Sequence, residues 1–210
     1  MRLVSGLVVL GLVFQSFACG GGGVFVANVG ERSIQTKVAA RRWKSAMPLR
    51  IIVGPAVEDA FVVQPVPSMT QNYANYRKTI GAALKGAFAE NFAAVELADK
   101  ETRAGLELII VRAEMQKTTT IKYGVALQWD GKELADVTGE SSGKTIAMRG
   151  GAHELHEKYD GLVEELVDFT LESFAEKVYE ALMRSERLET EGVYRRLQET
   201  ESAPVTLKAQ

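Results

Sequence analysis

Cysteine is almost missing from this 210-residue chain: there is one, Cys19, which rules out an intrachain disulfide and a multi-cysteine zinc site. Histidine is scarce as well, so any imidazole chemistry has only His153 and His156 to use. Neither sign of charge dominates, with 25 Lys and Arg against 27 Asp and Glu and a formal net charge of -2. A dedicated nucleic-acid binder is usually strongly basic, so nucleic acid is not an expected partner. The most apolar stretch, Leu3 to Phe14, falls short of the ~20 residues a membrane-spanning helix needs. What remains is ordinary globular usage, 46% apolar and 25% charged, which excludes a largely disordered, collagen-like or multi-pass membrane chain.

That apolar stretch has a different meaning. Arg2 is a short cationic leader, Leu3 to Phe14 has the length of a secretory hydrophobic region, and Ala18 precedes Cys19. The segment resembles the signal peptide of a bacterial lipoprotein, although Ser16 and Phe17 depart from the residues that family prefers before its cysteine. The resemblance implies cleavage after residue 18 and lipidation of Cys19 with palmitate-class chains. A plain secretory signal is the alternative, and an uncleaved anchor is a third reading. More than one acyl chain holds a protein firmly on a bilayer, because each buried methylene contributes ~0.8 kcal/mol. Gly20 to Gly23 reads as a flexible tether. Gly20, rather than Asp, follows the cysteine, and in such lipoproteins that implies the outer membrane, facing the periplasm.

Beyond the leader, the pattern divides the chain into a lipidated cysteine, tether and basic arm over 19–47, a folded domain over 48–184, and a polar tail over 185–210. Val24 to Val29 reads as a short strand. Arg50 to Val53 is a β-branched run closed by Gly54-Pro55, and Ala56 to Met69 reads as loop. Thr70 is a candidate N-cap for a helix whose apolar residues recur from Tyr73 through Ile80 and Leu84 to Phe92. Gly81 and Gly86 on that helix suggest a close neighbour. Val95 to Ala98, Leu106 to Met115, Thr118 to Trp129 and Glu133 to Thr138 read as strands, with Asp130-Gly131 as a hairpin turn. Gly139 to Gly151 reads as loop. A second helix, ending near Arg184, carries Leu162 or Val163, Leu166, Val167, Thr170, Leu171, Phe174, Val178, Ala181 and Leu182 on its inner face. The expected architecture is α+β, a two-layer sandwich of an antiparallel sheet of four to five strands with two helices packed on one face.

Leu49 to Pro55, the Tyr76–Phe92 helix, Val125 to Leu134 and the Leu162–Leu182 helix together resemble a broad group of small bacterial envelope lipoproteins. The YajG-like lipoproteins and the auxiliary lipoproteins of envelope transport systems are examples. The resemblance implies binding or scaffolding without catalysis, so the expectation is an accessory or scaffold subunit of an envelope assembly. Its expected partners are the membrane, through the lipid anchor, and envelope proteins or further copies of itself. A periplasmic lipid- or glycolipid-binding protein is the alternative.

The chemical motifs are weak. Thr138 to Thr145 ends in Gly143-Lys144-Thr145 like a phosphate-binding loop, but Thr138 stands where that motif requires glycine. His153 and His156 are three apart, whereas the zinc-protease helix needs four with glutamate between. Ser141 and Ser142 lack a nucleophile elbow. Neither an enzyme nor a metal or other cofactor is expected. Two charge patterns remain as candidate docking sites. Lys37, Arg41, Arg42 and Lys44, followed by Arg50, form a basic stretch with Trp43 among them, suited to anionic head groups or an acidic partner, or else paired with acids of the same domain or solvated. Glu164, Asp168, Glu172, Glu176 and Glu180 recur every fourth residue on the second helix, either as a solvated face or as a ridge for a basic partner.

Overall fold

The computed structural model describes residues 25–30, 43–66, 69–116, 119–143 and 152–196. The leader, Cys19, the tether, Lys37, Arg41, Arg42 and everything after residue 196 lie outside them. In chain order the elements are β1 (Phe25–Val29), β2 (Trp43–Lys44), β3 (Pro48–Val53), β4 (Phe61–Val66), β5 (Met69–Tyr73), α1 (Tyr76–Phe88), β6 (Ala94–Ala98), β7 (Leu106–Gln116), β8 (Thr120–Trp129), β9 (Lys132–Ser142), α2 (Ala152–Met183), α3 (Glu186–Thr190) and β10 (Arg195–Arg196).

The main sheet has five strands in the order β6-β3-β7-β8-β9. The class is α+β, but the expected antiparallel sheet is in fact mixed. The meander β7-β8-β9 is antiparallel, as its hairpin turn requires. By contrast, β3 pairs parallel with both β6 and β7. α1 carries the chain back to the starting end of the sheet between β3 and β6, and residues 99–105 do so between β6 and β7, as parallel pairs demand. α1 packs on β3 and β6, α2 packs on β8 and β9, and the two helices touch. Leu49, Ile51, Leu108, Ile110, Ile121 and Val125 point from the sheet into this layer, against Ile80, Leu84, Phe88, Val163, Leu171 and Phe174 of the helices. Gly81 lets α1 approach closely, since a Cβ there would lie 3.2 Å from Leu97 Cδ2 and 3.3 Å from Val53 Cγ2.

The segment expected to be loop before α1 instead holds β4 and β5, which join β1 in a second sheet of order β1-β5-β4. Their antiparallel pairing carries a register shift between Val63 and Val66, which breaks the simple alternation that marks a strand. The helix also starts later than Thr70. Asn75 precedes it with φ of 56° and makes no side-chain cap. Asp59 caps it from a distance, its backbone carbonyl accepting from Tyr76 N at 3.0 Å and its carboxylate from Arg77 N at 3.0 Å.

The folded unit reaches past residues 48 and 184 at both ends. Ala27 and Val29 of β1, and Leu188, Val193 and Tyr194 after α2, are core residues. Trp43 is also core, at 2% exposure, where a surface aromatic near the membrane was expected. Its ring packs within 6.5 Å of Phe88, Phe92, Tyr179 and Tyr194. β2 is held there by antiparallel pairing with β10, which sets Lys44 opposite Arg195.

Candidate functional site

The two faces of the main sheet differ. The face away from the helices carries Arg50 and Ile52 from β3, Glu107 and Ile109 from β7, Lys122 to Gln128 at alternate positions of β8, and Asp136, Thr138 and Glu140 from β9, as the strand registers require. One end of this face is closed by the chain itself. β6 ends beside Ile52 and β7 begins beside Leu49, both parallel to the strand between them, so residues 99–105 must pass over β3. This crossover runs across the sheet in the opposite direction to the one through α1. If both are right-handed they lie on opposite faces.

Glu107 fastens the crossover. Its side chain is fully buried and accepts from Thr102 N at 2.9 Å, Thr102 Oγ1 at 2.8 Å, Arg103 N at 3.1 Å and Arg50 Nη1 at 2.7 Å. Burial alone would raise its pKa. The Thr102 and Arg103 donors and the Arg50 charge outweigh that and hold the carboxyl below the usual glutamate value. Arg50 also bonds Thr102 Oγ1 and bridges to Glu96 at 3.1 Å. It is therefore a staple of the fold, paired with acids of its own domain. Gly105 N donates to Asp130 Oδ1 at 2.7 Å, tying the crossover to the β8–β9 turn.

The other end of the face stays open as a shallow groove of about 670 Å³ over β7, β8 and β9. Its floor is Gly124 and Ala126, beside Thr138. A bulge between Ile110 and Arg112 turns Val111 outward at the lip, 51% exposed. At one end of the groove Arg112 grips Glu114 with two bonds of 2.8 and 2.7 Å, and Lys122 lies opposite Glu140. The Arg112 bonds hold the Glu114 carboxyl below its usual range. At the other end Glu133 and Asp136 are exposed on the rim.

Of the residues singled out by sequence for docking, the described ones other than Arg50 lie on two elements, Lys44 on β2 and Glu164, Asp168, Glu172 and Glu176 on α2. Lys44 is exposed and its Nζ donates to the Glu90 carbonyl at 2.7 Å. Glu164, Asp168 and Glu172 are half-buried on α2 and Glu176 is exposed. Each step of four residues advances about 40° round a helix of 3.6 residues per turn, so this row winds round α2 rather than forming one straight ridge, and Glu180 beyond Glu176 is half-buried again. The phosphate-loop likeness also resolves. Gly139 to Ser142 continue strand β9 where loop was expected. A Cβ at Gly139 would meet Tyr123 Oη at 2.8 Å, and one at Gly143 would meet Thr170 Oγ1 at 2.5 Å, so both glycines serve packing. Sequence reading missed the groove. The alternation Lys122, Gly124, Ala126, Gln128 was its available signal, but the bulges in β7 and β9 hide which partners share that face.

No family model matches the chain, and neither does any curated protein. Among solved structures, a Xanthomonas campestris protein of the family DUF330 aligns with 80% of this chain and 99% of its own, at 12% identity and a TM-score of 0.48. A crystal structure of a protein titled only as uncharacterized aligns with 76% of this chain and 99% of its own, at 9% identity and a TM-score of 0.38. Both scores lie below 0.5, and neither neighbour assigns a family or a function to this chain. Among the described residues, no helix is long and apolar enough to cross a membrane and no group of three or more metal-ligating side chains forms.

Proposed function

We infer that this chain is a lipid-anchored, non-catalytic accessory or scaffold subunit of an envelope assembly, held at the outer membrane and facing the periplasm. One observation carries the reading. The main sheet is sealed on one face by two helices and keeps an open, grooved face of mixed charge on the other, as a protein that works by docking requires. The leader and Cys19 supply the anchor half of the proposal from the sequence. The lipid-carrier alternative needs room between sheet and helices. That layer is filled by Ile80, Leu84, Phe88, Leu108, Ile110 and Phe174, all fully buried, so a bound lipid would need another place on the domain. The test is Cys19→Ser. It should abolish fatty-acid labelling and release the protein from membrane pellets. A Cys19→Ser chain that still sediments fully with membranes would refute the anchor.

A further inference from the structure

The groove on β7, β8 and β9 says something about the partner, on the reading that the chain is a docking subunit. Gly124 stands in the middle of a central strand, where glycine weakens a sheet and commonly marks the close approach of another chain or a ligand. The protein's own packing does not require it. A Cβ at Gly124 would sit 3.7 Å from Thr138 Cγ2 and 3.8 Å from Arg112 Cβ, ordinary contact distances, and its φ is not positive. With Ala126 two residues on, it makes a recessed floor of backbone and methyl beneath the rim, both residues being of low exposure in the chain alone. The exposed Val111 offers an apolar lip.

The rim charges complete the argument. The cations at one end already face carboxylates of the same sheet, Arg112 with Glu114 and Lys122 with Glu140. Glu133 and Asp136 at the other end face the groove with no bonded cation among the described residues. The groove is thus matched at one end and acidic at the other. We propose that it receives a segment of a partner protein that lays apolar side chains on Gly124, Ala126 and Val111 and sets a lysine or arginine against Glu133 and Asp136. Phospholipid head groups fit poorly, because their phosphates would meet those carboxylates.

The test places a photoreactive amino acid at Thr138 in the full, lipidated chain, with Lys85 on the exposed side of α1 as the control position. Cross-linked peptides are mapped by mass spectrometry. The expected result is a cross-link from Thr138, and not from Lys85, to one partner segment that carries lysine or arginine. Glu133→Lys with Asp136→Lys, and separately Gly124→Leu, should each lower its yield at least tenfold. The charge reversals sit at exposed positions, so they keep the test valid if Gly124→Leu fails to fold. A Thr138 probe that captures nothing, lipid, a second copy of this chain or a segment without cations would overturn the proposal, as would an unchanged yield in the charge-reversed chain. Failure of the anchor reading is seen separately, in the sedimentation of Cys19→Ser.

Discussion

The two faces of the five-stranded sheet follow different rules. On the helix-covered face, Leu108, Ile110, Ile121 and Val125 are fully buried, and the shape of each side chain is fixed by what packs on it. On the opposite face the same strands carry Arg112, Lys122, Asp136 and Glu140, and only the crossover end is closed. Strand β7 shows the contrast in one element. Its Glu107 is buried with four donors, while its Glu114, seven residues later, meets Arg112 in solvent. A buried carboxylate must keep its partners, whereas an exposed pair adds little to stability and leaves its surface free for contact. Stability therefore resides in the covered layer and the crossover clasp, and docking is assigned to the open end.

The largest expected effect breaks the covered face. Phe174→Ala should cost about 3–5 kcal/mol, since the ring is fully buried against Tyr123 and its removal leaves a cavity. Denaturant unfolding would register it as a lower midpoint at unchanged slope. Next comes the clasp. Arg50→Ala strands a buried carboxylate and should cost about 3 kcal/mol. Glu107→Gln should be milder, because the amide oxygen can still accept. It should also change the pH dependence. The folded pKa of Glu107 lies below its unfolded value, so its contribution is full above the ordinary glutamate range near 4.3 and is lost as pH falls through the lower folded value. Stability of Glu107→Gln should thus fall less between about pH 5 and pH 2 than that of the parent chain. An equal acid limb in both would remove the clasp from the account. The smallest effect is expected on the open face, where Arg112→Ala should leave the melting temperature within about 1 °C.

How legible this was in the sequence differs by region in the same way. The covered face announces itself by period: of the α2 positions read as inward-facing, Val163, Leu166, Val167, Thr170, Leu171, Phe174, Val178 and Leu182 are buried and Ala181 is half-buried. The meander was also legible, because Asp130-Gly131 forces a hairpin. The parallel pairing of β3 with β7 was not, since the seven-residue crossover from β6 carries no helix to signal it. The groove depends on bulges that move side chains between faces, and no local pattern records those. Arg50 shows the limit clearly. By neighbourhood it belongs with Lys44, yet its partner Glu107 is 57 residues away.

The measurement that bears most directly on the account sets the two faces against each other. The complex proposed for the full chain is sized by native electrophoresis of membrane extracts, and the melting temperature is recorded for the same variants. The account predicts that Glu133→Lys with Asp136→Lys leaves the melting temperature within about 2 °C and dissolves the complex. The reverse result, a complex of unchanged size in that variant, would contradict the assignment of docking to the open face.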